Sequence, residues 1–138
     1  MSRTHGRLAV ASLALGAILV ACFSEHSEPA TDNSALCSSA PGSLVNGSTL
    51  VTIHDFAFEP QNVQIQAGSS VVWVNCESTP TDHNSSSDQG AWDSPLLAPG
   101  NAFTQTFNSA GAYPYHCAPH PFMTATVTVA VMNGWGAQ

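Results

Sequence analysis

Near the C-terminus the chain reads Tyr115-His116-Cys117-Ala118-Pro119-His120-Pro121-Phe122-Met123. A thiolate, an imidazole and a thioether follow one another at intervals of three residues, and two prolines stiffen the loop between them. Cys117, His120 and Met123 are soft or borderline donors. With one more imidazole they make the two-His, one-Cys, weak-Met set that suits copper in both oxidation states. Three strong donors in a near-trigonal arrangement with a weak fourth compromise between Cu(I) and Cu(II), so little moves when an electron arrives. Zinc takes Cys and His, but a thioether is a poor zinc ligand and structural zinc sites commonly use more Cys. A dinuclear copper centre would need a second Cys in the loop, and none is there.

The missing nitrogen must come from elsewhere. His83, in Thr81-Asp82-His83-Asn84, sits in a long polar stretch after an apolar run and is the best candidate. By itself a His in a polar loop is most simply a solvated side chain; the incomplete donor set reverses that reading. The other histidines suit less well. His5 falls in an N-terminal leader, His26 in a polar segment and His54 within a strand-like run. His116 neighbours Cys117, so on a strand it points to the opposite face.

Elements able to position these donors are short strands. Leu50 to Phe58 is rich in β-branched and aromatic residues and reads as one strand. Asn62 to Gln66 alternates and reads as a second. Val71-Val72-Trp73-Val74-Asn75 is nearly continuous in apolar residues, as expected of a central sandwich strand. Glu77 to Ser94 is polar, and a connection of that length in a small domain is usually functional. Ala102 to Phe107, Ala112 to Cys117 and Thr124 to Val131 complete the set, with Pro114 marking an edge or a bulge. No amphipathic helix appears after the leader. The fold class expected is all-β, an antiparallel Greek-key sandwich.

The 138 residues divide by composition. Residues 1–21 read as a lipoprotein signal peptide: Arg3 and Arg7 precede an apolar run from Leu8 to Val20, too short to span a bilayer comfortably. The run ends Leu19-Val20-Ala21-Cys22, which resembles a bacterial lipobox and implies lipid on the Cys22 thiol; the alternative is an ordinary signal peptide with an incidental Cys. Residues 22–48 read as a flexible tether, 49–131 as the metal-binding domain and 132–138 as a loose tail. With Cys22 and Cys117 assigned, Cys37 and Cys76 remain as an even pair in an exported protein. A disulfide is the natural reading and two free thiols the alternative.

Charge narrows the function. Arg3 and Arg7 are the only Lys or Arg residues, and both leave with the leader, whereas all nine acidic residues remain. A chain without fixed cations does not bind nucleic acid, and no Gly-rich phosphate loop is present. The acids either steer the protein toward a basic docking face or only keep a sparsely charged protein soluble.

Taken together, Phe56-Ala57-Phe58-Glu59-Pro60, Val63, Gly68, Val71-Val72-Trp73-Val74-Asn75, Pro99-Gly100, Phe107, Gly111, Tyr113, Tyr115 and Cys-x-x-His-x-x-Met resemble the cupredoxins, in particular the plastocyanin/amicyanin group. The resemblance covers residues 50 to 131. It implies one type 1 copper ion on His83, Cys117, His120 and Met123, with Asn84 hydrogen-bonding across to the ligand loop. It also implies His120 as the electron entry point, where Pro119, Pro121 and Phe122 either form an apolar rim or simply stiffen the loop. Asp82 stands where such chains usually have Pro, and Ala125 where Gly is common. The function implied is a one-electron carrier and not an enzyme, exchanging electrons with a cytochrome, oxidase or dehydrogenase. It would be a monomer on the periplasmic face of the outer membrane or the cell surface. Copper storage or delivery is the alternative, for which a mature chain with only Met123 and Met132 is poor in thioethers.

Overall fold

A computed structural model describes residues 32–131. The expected signal peptide, Cys22 and the residues 132–138 tail lie outside the described residues. Among the described residues nine strands form two sheets facing one another. The first sheet holds β1 (Leu44–Val45), β2 (Ser48–His54), β3 (Ala57–Glu59), β5 (Ser69–Asn75) and β7 (Ala102–Phe107). Its order is β1-β2-β5-β7, with β3 also paired to β2. The second holds β4 (Asn62–Gln66), β9 (Thr124–Ala130), β8 (Gly111–His116) and β6 (Ser86–Ser87) in that order.

The all-β sandwich is as expected, but its sheets are not purely antiparallel. β2 pairs parallel to β5, and β4 parallel to β9. The cause is topological: the chain leaves the first sheet for β4 in the second before returning as β5, so β5 comes back to β2 in the same direction. A second difference concerns the run read as one strand from Leu50 to Phe58. It is a hairpin, in which His54 pairs with Ala57 and Asp55-Phe56 form a two-residue turn with φ of +48° and +57°. Positive φ at both central residues is the geometry such hairpins require, and usually Asn-Gly supplies it. No glycine advertises the turn here.

Burial follows the strand period. β4 buries Val63 and Ile65, and β9 buries Ala125, Val127 and Val129, each alternating with solvent-facing neighbours. They meet Val51, Ile53, Val71, Trp73 and Phe107 of the opposite sheet. Trp73, fully buried, stacks on Trp92 at 5.6 Å and meets Tyr115 edge-on at 5.5 Å. Pro114 lies in β8 just beyond the β6 ladder, which pairs only with Tyr115 and His116, so its missing N–H interrupts no bond on that side.

β2 and β5 are buried on both faces because the chain before them folds back. Folded structure begins before the composition-based start at residue 49: a 3-10 helix, Ser34–Ser38, lies against the outer face of the first sheet, and β1 extends that sheet beside β2. There Leu36, Cys37, Val45 and Cys76 pack on Leu50, Val72 and Val74. Cys37 and Cys76 form a disulfide across a sequence separation of 39 residues. A cross-link closing a loop of that size removes much freedom from the unfolded chain. Replacing both cysteines by Ala should therefore lower unfolding free energy by about 2–4 kcal/mol, read as a lower urea midpoint with the β-type circular dichroism retained. An unchanged midpoint would show that the segment is held by packing alone.

Candidate metal centre

At one pole of the sandwich, β5 ends, the loop to β6 begins, and the connection from β8 to β9 passes beneath it. The ligand loop closes on itself through backbone bonds. Cys117 N–H donates to Met123 O (3.1 Å), His120 N–H to Cys117 O (3.1 Å) and Met123 N–H to His120 O (2.9 Å). This brings Cys117 and His120 to one side of a tight turn. His83 reaches the same point from the other loop, pinned by a two-way bridge with Leu97: N–H to O at 3.2 Å one way and 2.7 Å the other.

Three donor atoms converge. His83 Nδ1 and His120 Nδ1 lie 3.5 and 3.6 Å from Cys117 Sγ and 3.1 Å from each other. An ion bound at about 2.0 Å to nitrogen and about 2.3 Å to sulfur keeps its donors about 3–4 Å apart, so the three positions fit a single first-row ion. Met123 is 3% exposed and belongs to the same buried cluster as Cys117. Thiolate, thioether and two imidazoles form a donor set that fits copper.

The protonation pattern suits ligation. His83 Nε2–H donates to Glu77 Oε1 at 3.1 Å, which leaves the Nδ1 lone pair bare and aimed at the sulfur. Burial drives the His83 pKa below the ordinary histidine range; the Glu77 carboxylate opposes this without reversing it. Glu77 carries the complementary balance. Burial pushes its carboxyl up, but hydrogen bonds from Phe56 N–H (2.9 Å) and His83 together hold it below the usual value.

Asn84 spans the two loops. Its N–H donates to Cys117 Sγ at 3.5 Å, its Oδ1 accepts from Ala118 N–H at 2.7 Å, and its Nδ2 donates to Asp93 at 3.3 Å. His116 faces away from Cys117 and pairs with Asp88 at 2.6 Å. His54 is exposed beside Asp55 at 3.2 Å. His5 and His26 lie outside the described residues.

Three contributors were not read from the sequence. Glu77 counted only as one acid among nine. Asn75, fully buried at the end of β5, donates through Nδ2 to Thr81 O (2.8 Å) and Leu97 O (2.7 Å) and accepts from Glu77 N–H at 3.0 Å. It thereby fixes both sides of the His83 loop. Phe56 stands edge-on to His83 at 5.3 Å and to His120 at 5.0 Å, forming a lid over both imidazoles. A polar residue at a strand end followed by an acid was the available signal, and it looks the same as a solvated loop start.

Comparison with known proteins agrees with the geometry. The sequence profile of copper binding proteins of the plastocyanin/azurin family matches residues 45–130. The chain is 38% identical over 86 residues to amicyanin-alpha of Methylorubrum extorquens, covering 60% of this chain and 72% of the relative. It is 34% identical over 95 residues to amicyanin of Paracoccus denitrificans, covering 65% and 71%. The crystal structure of amicyanin from Paracoccus versutus superposes with a TM-score of 0.58 at 32% identity, over 66% of this chain and 89% of that one.

Two outcomes test the site. Glu77→Ala strips the acceptor from both His83 Nε2–H and Phe56 N–H, so copper affinity should fall about 10–100-fold in a chelator competition, while Asp88→Ala leaves it unchanged. In the metal-free domain, both His83 and Glu77 have folded pKa values below their unfolded ones. Each therefore contributes stability that is present above its unfolded pKa and lost as pH falls below it. The urea midpoint should drop first below about pH 6.5, as His83 is called on to protonate, and again below about pH 4.3, as Glu77 follows. A midpoint flat from pH 7 to 5 would contradict the His83 environment.

Proposed function

The chain belongs to the plastocyanin/azurin family of copper-binding proteins, and on that premise we propose that it is a blue-copper electron carrier. It exchanges one electron with redox proteins and transforms no substrate of its own. His83, Cys117 and His120 are the strong ligands and Met123 the weak axial one. The observation that carries this reading is the convergence of two imidazole nitrogens and one buried thiolate within 3.6 Å, with a thioether in the same buried cluster. Bound copper supplies a metal that alternates between Cu(I) and Cu(II) and so stores one electron.

The chain's own residues do the rest. Glu77 holds His83 in the tautomer that presents Nδ1, and Asn84 ties the His83 loop to Cys117 and Ala118. Both loops are fastened before metal arrives, so a change of charge at the site finds little freedom to relax. Hydrogen bonding from Asn84 N–H draws electron density from the thiolate and tunes the potential. The buried thiolate is kept from solvent, while the His120 ring is half-buried under Phe56 and beside the exposed Phe122. His120 is thus the ring through which a partner couples most closely, and Phe56 and Phe122 give that partner an apolar surface to dry.

The lipobox-like Leu19-Val20-Ala21-Cys22 is the observation that supports export with lipid on Cys22, and the domain would then be held at the periplasmic face of a membrane as a monomer. The tether would then be the chain between Cys22 and Asp32.

Copper(II) added to the purified domain should give an intense thiolate-to-copper absorption and a narrow-hyperfine EPR signal. A colourless copper site, or one that prefers zinc, would overturn the carrier. Cys117→Ser should abolish the colour. Met123→Gln should keep the copper and lower the reduction potential, measured by redox titration, because an amide oxygen favours Cu(II) over a thioether.

A further inference from the structure

A single covalent bond joins the end of β5 to the N-terminal segment. Cys37 lies in the 3-10 helix Ser34–Ser38 and Cys76 directly after β5, with their Cα atoms 5.6 Å apart. Each cysteine is partly exposed. Both line two grooves, one of about 310 Å³ with Asp32 and Glu77 in its walls, the other of about 340 Å³ with His54 and Glu59. A bridge that borders open space is within reach of an attacking thiolate, and access is one of the factors that set the rate of thiol–disulfide exchange.

What the bridge fastens bears on the metal pole. None of the helix residues is buried. Besides the bridge, its grip on the sheet includes Leu36 against Leu50, Val72 and Val74, and the bond from Asn33 N–H to Gly100 O at 2.7 Å. Gly100 N–H donates in turn to Asn75 O at 2.8 Å. Asn75 fixes the His83 loop at Thr81 and Leu97, and Glu77, whose N–H donates to Asn75 Oδ1, orients His83. Asn75 and Glu77 are the two residues that flank Cys76. With the sulfurs parted, the segment leaves the sheet more often, and water competes for the Gly100 bonds and reaches the backbone that positions His83.

We propose that Cys37–Cys76 is a thiol–disulfide exchange site whose opening loosens the metal centre, so that a dithiol protein of the same compartment governs how tightly copper is kept. This rests on the copper reading of His83, Cys117, His120 and Met123. One thiolate of the dithiol bonds to one bridge sulfur, the S–S bond breaks, and the other bridge sulfur leaves as a thiolate that takes a proton from water. The second thiolate of the dithiol then attacks the first, and the remaining bridge sulfur leaves and is protonated in the same way. Two electrons pass: the dithiol is oxidised to a disulfide, and Cys37 and Cys76 are reduced to thiols. With Asp32, Glu59 and Glu77 in the groove walls and no Lys or Arg beyond residue 7, the partner that fits has an uncharged or basic rim around its thiols. Linkage makes the coupling reciprocal: bound copper resists opening of the bridge by the same factor by which opening weakens copper.

Exchange is tested on the metal-free protein with dithiothreitol, in urea concentrations too low to unfold it. Two thiols beyond those of the untreated protein should appear, at a rate that urea hardly changes. A rate that climbs steeply with urea would show that the bridge opens only on unfolding, and overturns the exchange site. At equal thiolate concentration, mercaptoethanol should react faster than the anionic thioglycolate, with a gap that narrows as salt rises; equal rates overturn the partner's chemistry.

Copper is compared with no thiol in solution, because thiols bind it. Cys37→Ser combined with Cys76→Ser should hold Cu(I) about tenfold more weakly than the bridged protein in a chelator competition. Val129→Ala, a core truncation at the far end of β9, should lower the urea midpoint and leave the affinity unchanged; an equal loss there would mean that general destabilisation suffices, and overturns the coupling. In the metal-free protein, nitrogen NMR should show His83 with its proton on Nε2 while the bridge is closed, and a mixture of tautomers in the double variant. Equal copper affinity in the two forms, or an unchanged tautomer, overturns the coupling. Failure of both forms to bind copper overturns the copper reading instead.

Discussion

Two imidazole nitrogens and a thiolate sulfur, all electron-rich, are held 3.1 to 3.6 Å apart with their lone pairs turned inward. Left to themselves in water, such groups separate, protonate or turn outward. Everything else at this pole is the means by which the protein prevents that. Cys117 and His83 are fully buried, so neither can rotate into solvent, and the backbone bonds of the Cys117–Met123 turn leave His120 little choice of direction. The cost of this confinement falls on the metal-free protein. It must keep a buried His neutral, a state that burial itself favours by lowering the imidazole pKa.

Glu77 is where these constraints meet. One carboxylate oxygen accepts from His83 Nε2–H and from Phe56 N–H. The first bond chooses the histidine tautomer. The second supports a turn whose two central residues are Asp and Phe at positive φ, conformations that cost a bulky side chain more than glycine. That turn sets Phe56 edge-on to both histidines. A single buried acid therefore couples the orientation of a donor to the placement of the lid over it. Neither contact could be deduced from residue spacing, because Glu77 acts through a hairpin more than twenty positions earlier in the chain.

This also explains what was legible in the sequence and what was not. The strands Asn62–Gln66 and Ala102–Phe107 were readable to the residue because alternation with period two is a local signal. Cys117, His120 and Met123 were readable because they lie in one loop, and His83 because a three-donor set left one position to fill. The hairpin at Asp55-Phe56 was hidden: its strands are both apolar and its turn lacks glycine, so the hydrophobic run seemed continuous. The parallel pairings of β2 with β5 and of β4 with β9 were hidden for another reason, since they depend on which sheet each strand joins, a property of the whole chain. Residues 34–48 carried a polar, Ser- and Gly-rich composition, yet Leu36 and Val45 suffice to cover Leu50, Val72 and Val74 once Cys37 is fastened to Cys76. A few apolar side chains with a cross-link do what composition alone would not suggest.

The end of β5 shows why these features belong together. Asn75, Cys76 and Glu77 are consecutive, and each fastens a different part of the molecule. Asn75 holds the His83 loop through Thr81 and Leu97, Cys76 takes the disulfide to the N-terminal segment, and Glu77 orients His83 and Phe56. Successive residues on an extended chain point to opposite sides, so Cys76 reaches the N-terminal segment while Asn75 and Glu77 both serve the His83 loop. The strand that carries them is itself buried on both faces, by the sandwich core on one side and by the folded-back N-terminal segment on the other. Covering the outer face is thus a contribution to the rigidity of the metal pole as well as to stability. A β5 exposed to water on that face would hold Asn75 and the two residues after it less firmly, and with them the donor whose direction Glu77 decides.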